Sequence, residues 1–505
     1  MKSCWKVYCE SEELDTALAM MDSHTRRLLE FDQVLDRVKL FCFGEYGAHR
    51  MEHEEFCHSS ETLDTLKQRV SAAMDMLEHV DSWPAMSFPE IDHALELTRK
   101  EGGVLEPEDI AAVAVHARSG VRLRSLVVKF AGETPLRDVA DEVPQLEKLA
   151  EELLRYIDED GTIHEKQVPA LQQITRKLRS AQRKVEELAS RYMQSSEMRD
   201  YWTSDVPTQR DGRTVLPMQA RYRNRMSGAV HEVSSTGATV FIEPTDLMER
   251  NNEVRLQEEE YRRELLKLLR QLTARVAEHR EELIALRDAA AHLDSILARA
   301  RFGRKYECAM PECARDTLRL EQARHPLLGP EVVPIDVELD SAHPMLVVTG
   351  PNTGGKTVAL KTVGLMVLMH QFGIPLPAGE RSVLPLTNTV YADIGDEQSI
   401  AQSLSTFSGH MTTIASILES ATGASLVLLD ELGAGTDPEE GSSLAMAILD
   451  SLRERTCYSL VTTHHSALKS YAYRHDEVVN ASVEFDTDTL EPTYHLLTGV
   501  PGSSH

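Results

Sequence analysis

The sequence predicts a multidomain chain. A mostly α-helical core comes first, a long coiled-coil arm bearing a small β tip follows, and an α/β domain ends it. Three observations carry this prediction. Between Pro244 and Gly303 there is neither Gly nor Pro, so nothing there punctuates a helix. Short β-branched runs break the helical periodicity just before that span. From Leu318 onward apolar strands alternate with helical segments, the order of a parallel α/β domain.

A chain of 505 residues exceeds one ordinary domain, and 42% hydrophobic residues suffice for sizeable cores. The net charge of −27 excludes a protein that coats nucleic acid uniformly. No apolar run reaches the ~18 residues of a membrane span, and the N-terminus lacks an apolar signal core. The expectation is a cytoplasmic protein with no membrane partner. Seven scattered cysteines make no disulfide framework. Cys308 and Cys313 are close, but no second pair or His cluster completes a zinc site around them.

Residues 1–24 read as an extension without its own core. From Thr25 to about 160 the pattern is helical, with breaks at Trp83-Pro84, Gly102-Gly103 and Glu133-Thr134-Pro135. A helix start is expected at Leu105-Glu106-Pro107-Glu108-Asp109, where acidic residues follow Pro. The arm is expected over 161–303. Its first helix carries a seam of Ile174, Leu178, Ala181, Val185, Leu188 and Tyr192. Its second runs from Leu265 through Leu269, Leu272, Val276, His279, Leu283, Leu286, Ala290 and Leu293 to Leu297. Steps of four and three give one apolar stripe per helix, the pattern of an antiparallel coiled-coil pair. An unbroken helix across the Gly- and Pro-free span would be roughly 85 Å long at about 1.5 Å per residue. His279 is expected as a polar seam residue and not as a ligand.

Between the two helices, Thr214 to Ala220, Gly228 to Val233 and Ala238 to Ile242 predict a β tip over 213–244. Lys166 to Met226 contains 13 Lys and Arg against six Asp and Glu, a local balance of +7 in an acidic chain. Arg210, Arg213, Arg221, Arg223 and Arg225 lie beside the tip, where they are candidates for nucleic-acid phosphate contacts. The alternative is a solvated face whose charges pair locally.

The α/β domain, 304–505, holds the sharpest motif: Gly350-Pro351-Asn352-Thr353-Gly354-Gly355-Lys356-Thr357, of the pattern G-x-x-x-x-G-K-[ST]. An apolar run, Met345 to Val348, precedes it, and a helical pattern from Val358 to Gln371 follows it. Strand, glycine turn and helix are the context of a P-loop, whose backbone N–H groups and helix N-terminus cradle phosphates. Lys356 is expected to reach the β- and γ-phosphates of ATP, and the Thr357 hydroxyl to ligate Mg²⁺. The apolar run Ser425 to Leu429 ends in Asp430-Glu431, with Asp430 74 residues after Lys356. Phosphoryl chemistry needs one carboxylate to hold Mg²⁺, assigned to Asp430. It needs another group to orient and deprotonate the attacking water, assigned to Glu431. Leu460 to Thr463 forms a further strand ending in His464, placed to hydrogen-bond a γ-phosphate.

Together with Ser405-Thr406-Phe407, Asp430-Glu431-Leu432-Gly433-Ala434-Gly435-Thr436-Asp437 and Thr463-His464, this loop resembles the MutS ATPases. The runs from Gln209 to Pro217, Gly228 to His231 and Ser235 to Pro244 are similar to its second bacterial branch (MutS-two), as are Leu29-Glu30-Phe31 and Asp396-Glu397-Gln398-Ser399. The resemblance implies a helical core, a lever and clamp of long helices, and an ABC-type P-loop ATPase domain that dimerises head to tail. It implies that Ser405 reaches across to the partner's γ-phosphate. It also implies that Val332, Val333 and Ile335 line the adenine pocket, a segment that brings no aromatic ring. Phe43-Gly44-Glu45 and Phe88-Pro89-Glu90 carry a mismatch-reading pattern, but in helical sequence without a reading domain. Family members continue into a dimer-forming segment and a nuclease domain of the Smr type, so a chain ending at His505 is expected to be partial and without that nuclease.

The resulting expectation is a homodimeric, Mg²⁺-dependent ATPase that clamps nucleic acid. Its substrate would be branched DNA, for suppression of recombination, or the rRNA of stalled, collided ribosomes, for splitting them. A nucleotide-gated scaffold without turnover, a mismatch-repair sensor and a small-molecule kinase are the rival readings.

Overall fold

The run Met345-Leu346-Val347-Val348 becomes a fully buried strand, Met345–Thr349, because both of its faces are covered. Leu346 and Val348 join one apolar cluster, and Met345 and Val347 join another. Side chains alternate across a strand, so a strand covered on both faces has no position facing water and reads as a near-continuous apolar run. The computed structural model describes residues 23–80, 83–329, 331–350, 355–395, 403–486 and 491–499. The chain divides into two compact units. One takes in Met1–Met86, Arg122–Val143 and Arg287–His505, and the other Ser87–Val121 and Pro144–Leu286.

The first unit is built on a six-stranded sheet. Its order is Thr389–Asp393, Ser425–Leu429, Tyr458–Thr463, Met345–Thr349, Val478–Asp486, Glu491–Thr498. All neighbours are parallel except the last pair, which is antiparallel. Helices Pro438–Arg455 and Ser466–Ala472 cover one face through Ala445, Ile448, Leu449, Leu452 and Leu468. On the other face lies the helix Lys356–Gln371, buried over almost its whole surface. A helix apolar all round needs cover on every side. Here the sheet lies on one side, and Leu29, Phe31, Val34, Leu35 and Val38 share the core with it. Phe31 and Phe372 meet edge to face at 5.4 Å. The helical segment 25–160 is therefore divided: its start is packed with the α/β sheet, and Ser87–Val121 falls in the other unit.

A smaller sheet of order Glu312–Ala314, Val383–Pro385, Thr317–Ala323, Ile335–Asp340 completes this unit. Arg299, fully buried, donates to the Phe372 carbonyl at 3.1 Å, the Ser295 carbonyl at 3.2 Å and Glu54 Oε2 at 2.8 Å. A buried guanidinium is tolerable only when its donors are taken up in this way.

In the second unit the helices Pro169–Gln194 and Thr245–Glu278 run antiparallel. The pairs Tyr192–Asp246 (2.7 Å), Lys184–Glu253 (3.3 Å) and Glu165–Tyr261 (3.2 Å) advance along the two segments in opposite directions. Of the expected first seam, Ala181 and Val185 are buried, while Leu178, Leu188 and Tyr192 are half-buried. The expected unbroken second helix is corrected. It stops at Glu278, and a new helix, Arg280–Lys305, begins after His279. No Gly or Pro causes the break. The His279 N–H turns back to the Val276 carbonyl at 3.2 Å, a step of three residues, with φ −100° and ψ 15°. Its ring takes Glu282 at 2.6 Å, and its carbonyl accepts from Leu283 N–H at 2.9 Å, which starts the next helix. His279 is thus the residue at the helix break and not a seam residue. The arm boundary expected at 303 falls inside Arg280–Lys305, and the units divide at Leu286 and Arg287.

The expected breaks at Trp83-Pro84, Gly102-Gly103 and Glu133-Thr134 are non-helical, Pro135 opens the next helix, Pro135–Asp141, and a further helix begins at Pro107. The tip contains the three expected strands and one more, Thr208–Arg210, in the order Thr208–Arg210, Arg213–Gln219, Thr239–Pro244, Gly228–Val233. The extra strand pairs through the two-residue turn Asp211-Gly212, whose φ values are 49° and 72°. Those are the positive angles of a type I′ hairpin turn, for which Asp-Gly is a strong signal.

Gly364, in the middle of Lys356–Gln371, has room for no side chain. A Cβ would stand 2.5 Å from Leu428 Cδ1 and 2.8 Å from Leu29 Cδ2. Gly364→Val is expected to cost about 1–3 kcal/mol by overpacking, read as a lower urea midpoint at unchanged slope.

Candidate nucleotide site

The site forms at the C-terminal end of the parallel strands. Register fixes it: Thr463 pairs with Thr349, and Leu429 with Val461. Residues following each strand therefore emerge at one edge. Gly350, with φ 146°, leaves the central strand. Pro351, Asn352, Thr353 and Gly354 lie outside the described residues. Gly355, with φ 87°, caps the helix that starts at Lys356, a left-handed conformation that favours glycine.

Lys356 is 1% exposed, and its Nζ donates to the Gly350 carbonyl at 2.6 Å. Burial pulls its ammonium below the ordinary lysine range, while the Glu431 and Asp430 carboxylates pull it up. The Thr357 hydroxyl donates to Asp430 Oδ2 at 2.6 Å, across 73 residues of chain. Asp430 Oδ1 accepts from the Thr462 hydroxyl, and the Asp430 N–H donates to the Asp393 carbonyl at 2.9 Å. Glu431 follows with φ 51°, a left-handed angle uncommon outside glycine. Its N–H donates to Thr462 Oγ1 at 2.8 Å. Backbone held this way persists where its surroundings over-determine it, most often at functional sites. Gly441 packs against this loop so closely that a Cβ there would lie 2.3 Å from the Gly433 carbonyl oxygen.

The structure thus brings Lys356, Thr357, Asp430 and Glu431 to one edge. His464 is exposed beside them, while its neighbour His465 is buried and contacts the Gly433 carbonyl at 3.0 Å. Ser405 lies in the helix Ser403–Ser420, and its side chain is outside the described residues. So are Asp396, Glu397, Gln398 and Ser399. Farther along that helix His410 Nδ1 meets Asp393 Oδ2 at 2.8 Å. Burial raises the Asp393 carboxyl, and this contact opposes it.

Val332, Val333 and Ile335 line a cavity of about 280 Å³ that also takes in Gly355, Ala359 and Tyr494. Sequence reasoning missed Tyr494. A Cβ on Gly355 would come within 2.9 Å of the Tyr494 ring, so the phenol lies against the start of the loop helix. Only the antiparallel pairing of Glu491–Thr498 with Val478–Asp486, itself beside the central strand, delivers the ring. An aromatic ring beside an apolar wall suits a planar base. The donor set of Thr357 hydroxyl and Asp430 carboxylate consists of hard oxygens, which fit Mg²⁺.

The candidate arginines belong to the other unit and divide into two groups. Arg213 donates to buried Glu243 at 2.7 Å and also to Asn252. Arg210 pairs with Glu232 and lies 4.2 Å from the Phe241 ring centre. Arg221, Arg223 and Arg225 are exposed on the short turn Ala220–Arg225. Arg221 rests 4.9 Å from the Tyr222 ring, which stacks on Tyr201 at 4.5 Å.

The site is a parallel sheet covered on both faces, with a glycine-capped helix at its central strand and two carboxylates beside it. Residues 346–504 match the family described as MutS domain V, so this is a MutS-type multidomain α/β protein. Endonuclease MutS2 of Symbiobacterium thermophilum is 44% identical over 489 residues, covering 96% of this chain and 61% of that protein. Endonuclease MutS2 of Geobacillus thermodenitrificans is 43% identical over 491 residues, covering 96% and 62%. That of Pelotomaculum thermopropionicum is 39% identical over 487 residues, with the same coverage of 96% and 62%. The chain belongs to the MutS2 type of the MutS family, and it spans about three fifths of the length of these relatives. Among the described residues no helix is long and apolar enough to cross a membrane.

Tyr494→Ala is expected to remove about 0.5–1.5 kcal/mol of adenine-nucleotide affinity, up to roughly tenfold in Kd. Affinity for inorganic tripolyphosphate, measured in parallel, should not change.

Proposed function

We propose that this chain is a Mg²⁺-dependent, ATP-hydrolysing nucleic-acid clamp that works as a homodimer. One observation carries the reading: Thr357 and Asp430, far apart in sequence, meet at 2.6 Å beside buried Lys356. In this reading Gly350, Pro351, Asn352, Thr353, Gly354 and Gly355 wrap the phosphates, and Lys356 holds the β- and γ-phosphates. Val333, Ile335 and Tyr494 bind the adenine. Thr357 and Asp430 would hold Mg²⁺, which when bound offsets phosphate charge. Glu431 orients the attacking water and accepts its proton, and its fixed backbone keeps that carboxylate at the strand end. His464 contacts the γ-phosphate, and Ser405 completes the site of the partner subunit.

The nucleic-acid surface is the exposed set Arg221, Arg223 and Arg225, with Arg210 and Arg213 bracing the sheet that carries them. Branched DNA and the rRNA of collided ribosomes both present the phosphates these guanidiniums take. A scaffold without turnover is the rival reading, and the carboxylate of Glu431 beside Asp430 favours hydrolysis over it.

Glu431→Gln should retain ATP binding and slow hydrolysis by about 10² or more. Lys356→Ala should lose binding itself; hydrolysis unaffected by Glu431→Gln would overturn the role given to Glu431, and ATP binding by the wild type without hydrolysis would leave the scaffold reading. Replacing Arg221, Arg223 and Arg225 by Gln should reduce the salt slope of duplex-DNA binding by about 2.7, at about 0.9 per phosphate contact. An unchanged slope would remove the tip from the interface. Matched binding of Glu431→Gln to branched DNA and to collided ribosomes then decides the substrate.

A further inference from the structure

The helix Glu45–His53 ends in a side-chain cluster that neither the nucleotide site nor the arginine tip uses. His49, Glu52 and His53 stand on its last turn, three and four residues apart, and so share one face. All three are exposed. One ligand atom from each lies within 4.8 Å of the others. The two imidazole rings face each other with centroids 4.3 Å apart and planes 31° apart.

Two further contacts prepare these groups for a ligand. His53 Nδ1 lies 2.9 Å from the His49 carbonyl. Donating its proton there leaves Nε2 as the lone-pair nitrogen, as in metal-ligating histidines tethered to backbone through the other ring nitrogen. Lys39 Nζ donates to Glu52 Oε1 at 2.5 Å, which leaves the second carboxylate oxygen for an ion.

We propose that His49, Glu52 and His53 form a binding site for a divalent transition-metal ion of the Zn²⁺ class. Two imidazoles and a carboxylate suit Zn²⁺, Ni²⁺ or Cu²⁺, whereas Mg²⁺ and Ca²⁺ favour all-oxygen sets. Three protein ligands leave one tetrahedral position to water. Bonds of about 2.0–2.2 Å require the ligand atoms to draw together by about 1 Å, which exposed side chains do by small rotamer adjustments. Ligands three and four residues apart meet only on a helix, so the ion also pins the terminal turn. That turn leads into Glu54, which takes the buried Arg299 at 2.8 Å, and into Cys57, whose N–H reaches the Gln371 carbonyl at 2.9 Å. The site therefore adjoins the segment that holds the far end of the loop helix.

The test is calorimetric titration of Zn²⁺ into the metal-stripped 505-residue chain, with saturating Mg²⁺ present to occupy the oxygen site. The wild type should bind one equivalent more than His49→Ala/His53→Ala. Glu52→Gln should keep that equivalent with affinity reduced about tenfold, a cost of about 1.4 kcal/mol. Zn²⁺ should raise the Tm of the wild type and not that of the double variant, since an ion that binds the folded state stabilises it. His58→Ala, just beyond the helix, should behave as wild type. Equal stoichiometry in wild type and double variant, with both folded by circular dichroism, overturns the proposal. Loss of the same equivalent in His58→Ala also overturns the assignment to these three residues.

Discussion

The carboxylate of Asp430 ties the first unit together. One oxygen takes the Thr357 hydroxyl from the loop helix, and the other takes the Thr462 hydroxyl from the neighbouring strand. A buried carboxylate is costly unless its lone pairs are used, and here they fix three elements relative to one another. Thr462 acts in both directions, since its oxygen also accepts the Glu431 N–H. A single threonine thus sets the position of both acidic residues. The strand order makes this possible by placing Tyr458–Thr463 between the strands that lead to Asp430 and to the glycine turn.

Much of this unit was legible because its signals are local. The glycine turn, its flanking strand and helix, and the acidic strand end each lie within a few residues. Their meeting follows from parallel topology. What escaped was non-local or weak. Tyr494 reaches the cavity only through pairing with a strand that is itself placed by the central strand. The helix break at His279 has no Gly or Pro to announce it, and rests on one backbone turn and a contact with Glu282. The extra strand Thr208–Arg210 was legible in principle, because Asp211-Gly212 is a strong hairpin signal. Its three residues are too few to show alternation.

In the second unit a different carboxylate has an equivalent part. Glu243 is 1% exposed and receives Arg213 at 2.7 Å, His231 at 2.6 Å and Asn251 at 2.7 Å. Burial alone would raise its pKa, but the hydrogen bonds from Asn251, His231 and Arg213 outweigh this and lower it. Asn251 also bonds the Thr214 backbone in both directions, at 3.2 Å and 2.9 Å. The sheet is thereby fastened to the first turns of Thr245–Glu278. Counting arginines in the sequence could not separate those that build this network from those that face water. The division between Arg213 and Arg221 is one of packing, not of charge.

The helix Lys356–Gln371 has a mechanical consequence. It spans 16 residues, about 24 Å at about 1.5 Å per residue. One end presents Lys356 and Thr357, and the other is held by Cys57 at the Gln371 carbonyl and by Arg299 at the Phe372 carbonyl. Close packing over almost its whole surface leaves it little slack in which to bend. The two ends of this rod, the nucleotide edge and the Cys57 and Arg299 contacts, therefore belong to one stiff body, so a substitution that loosens either end strains the packing of both.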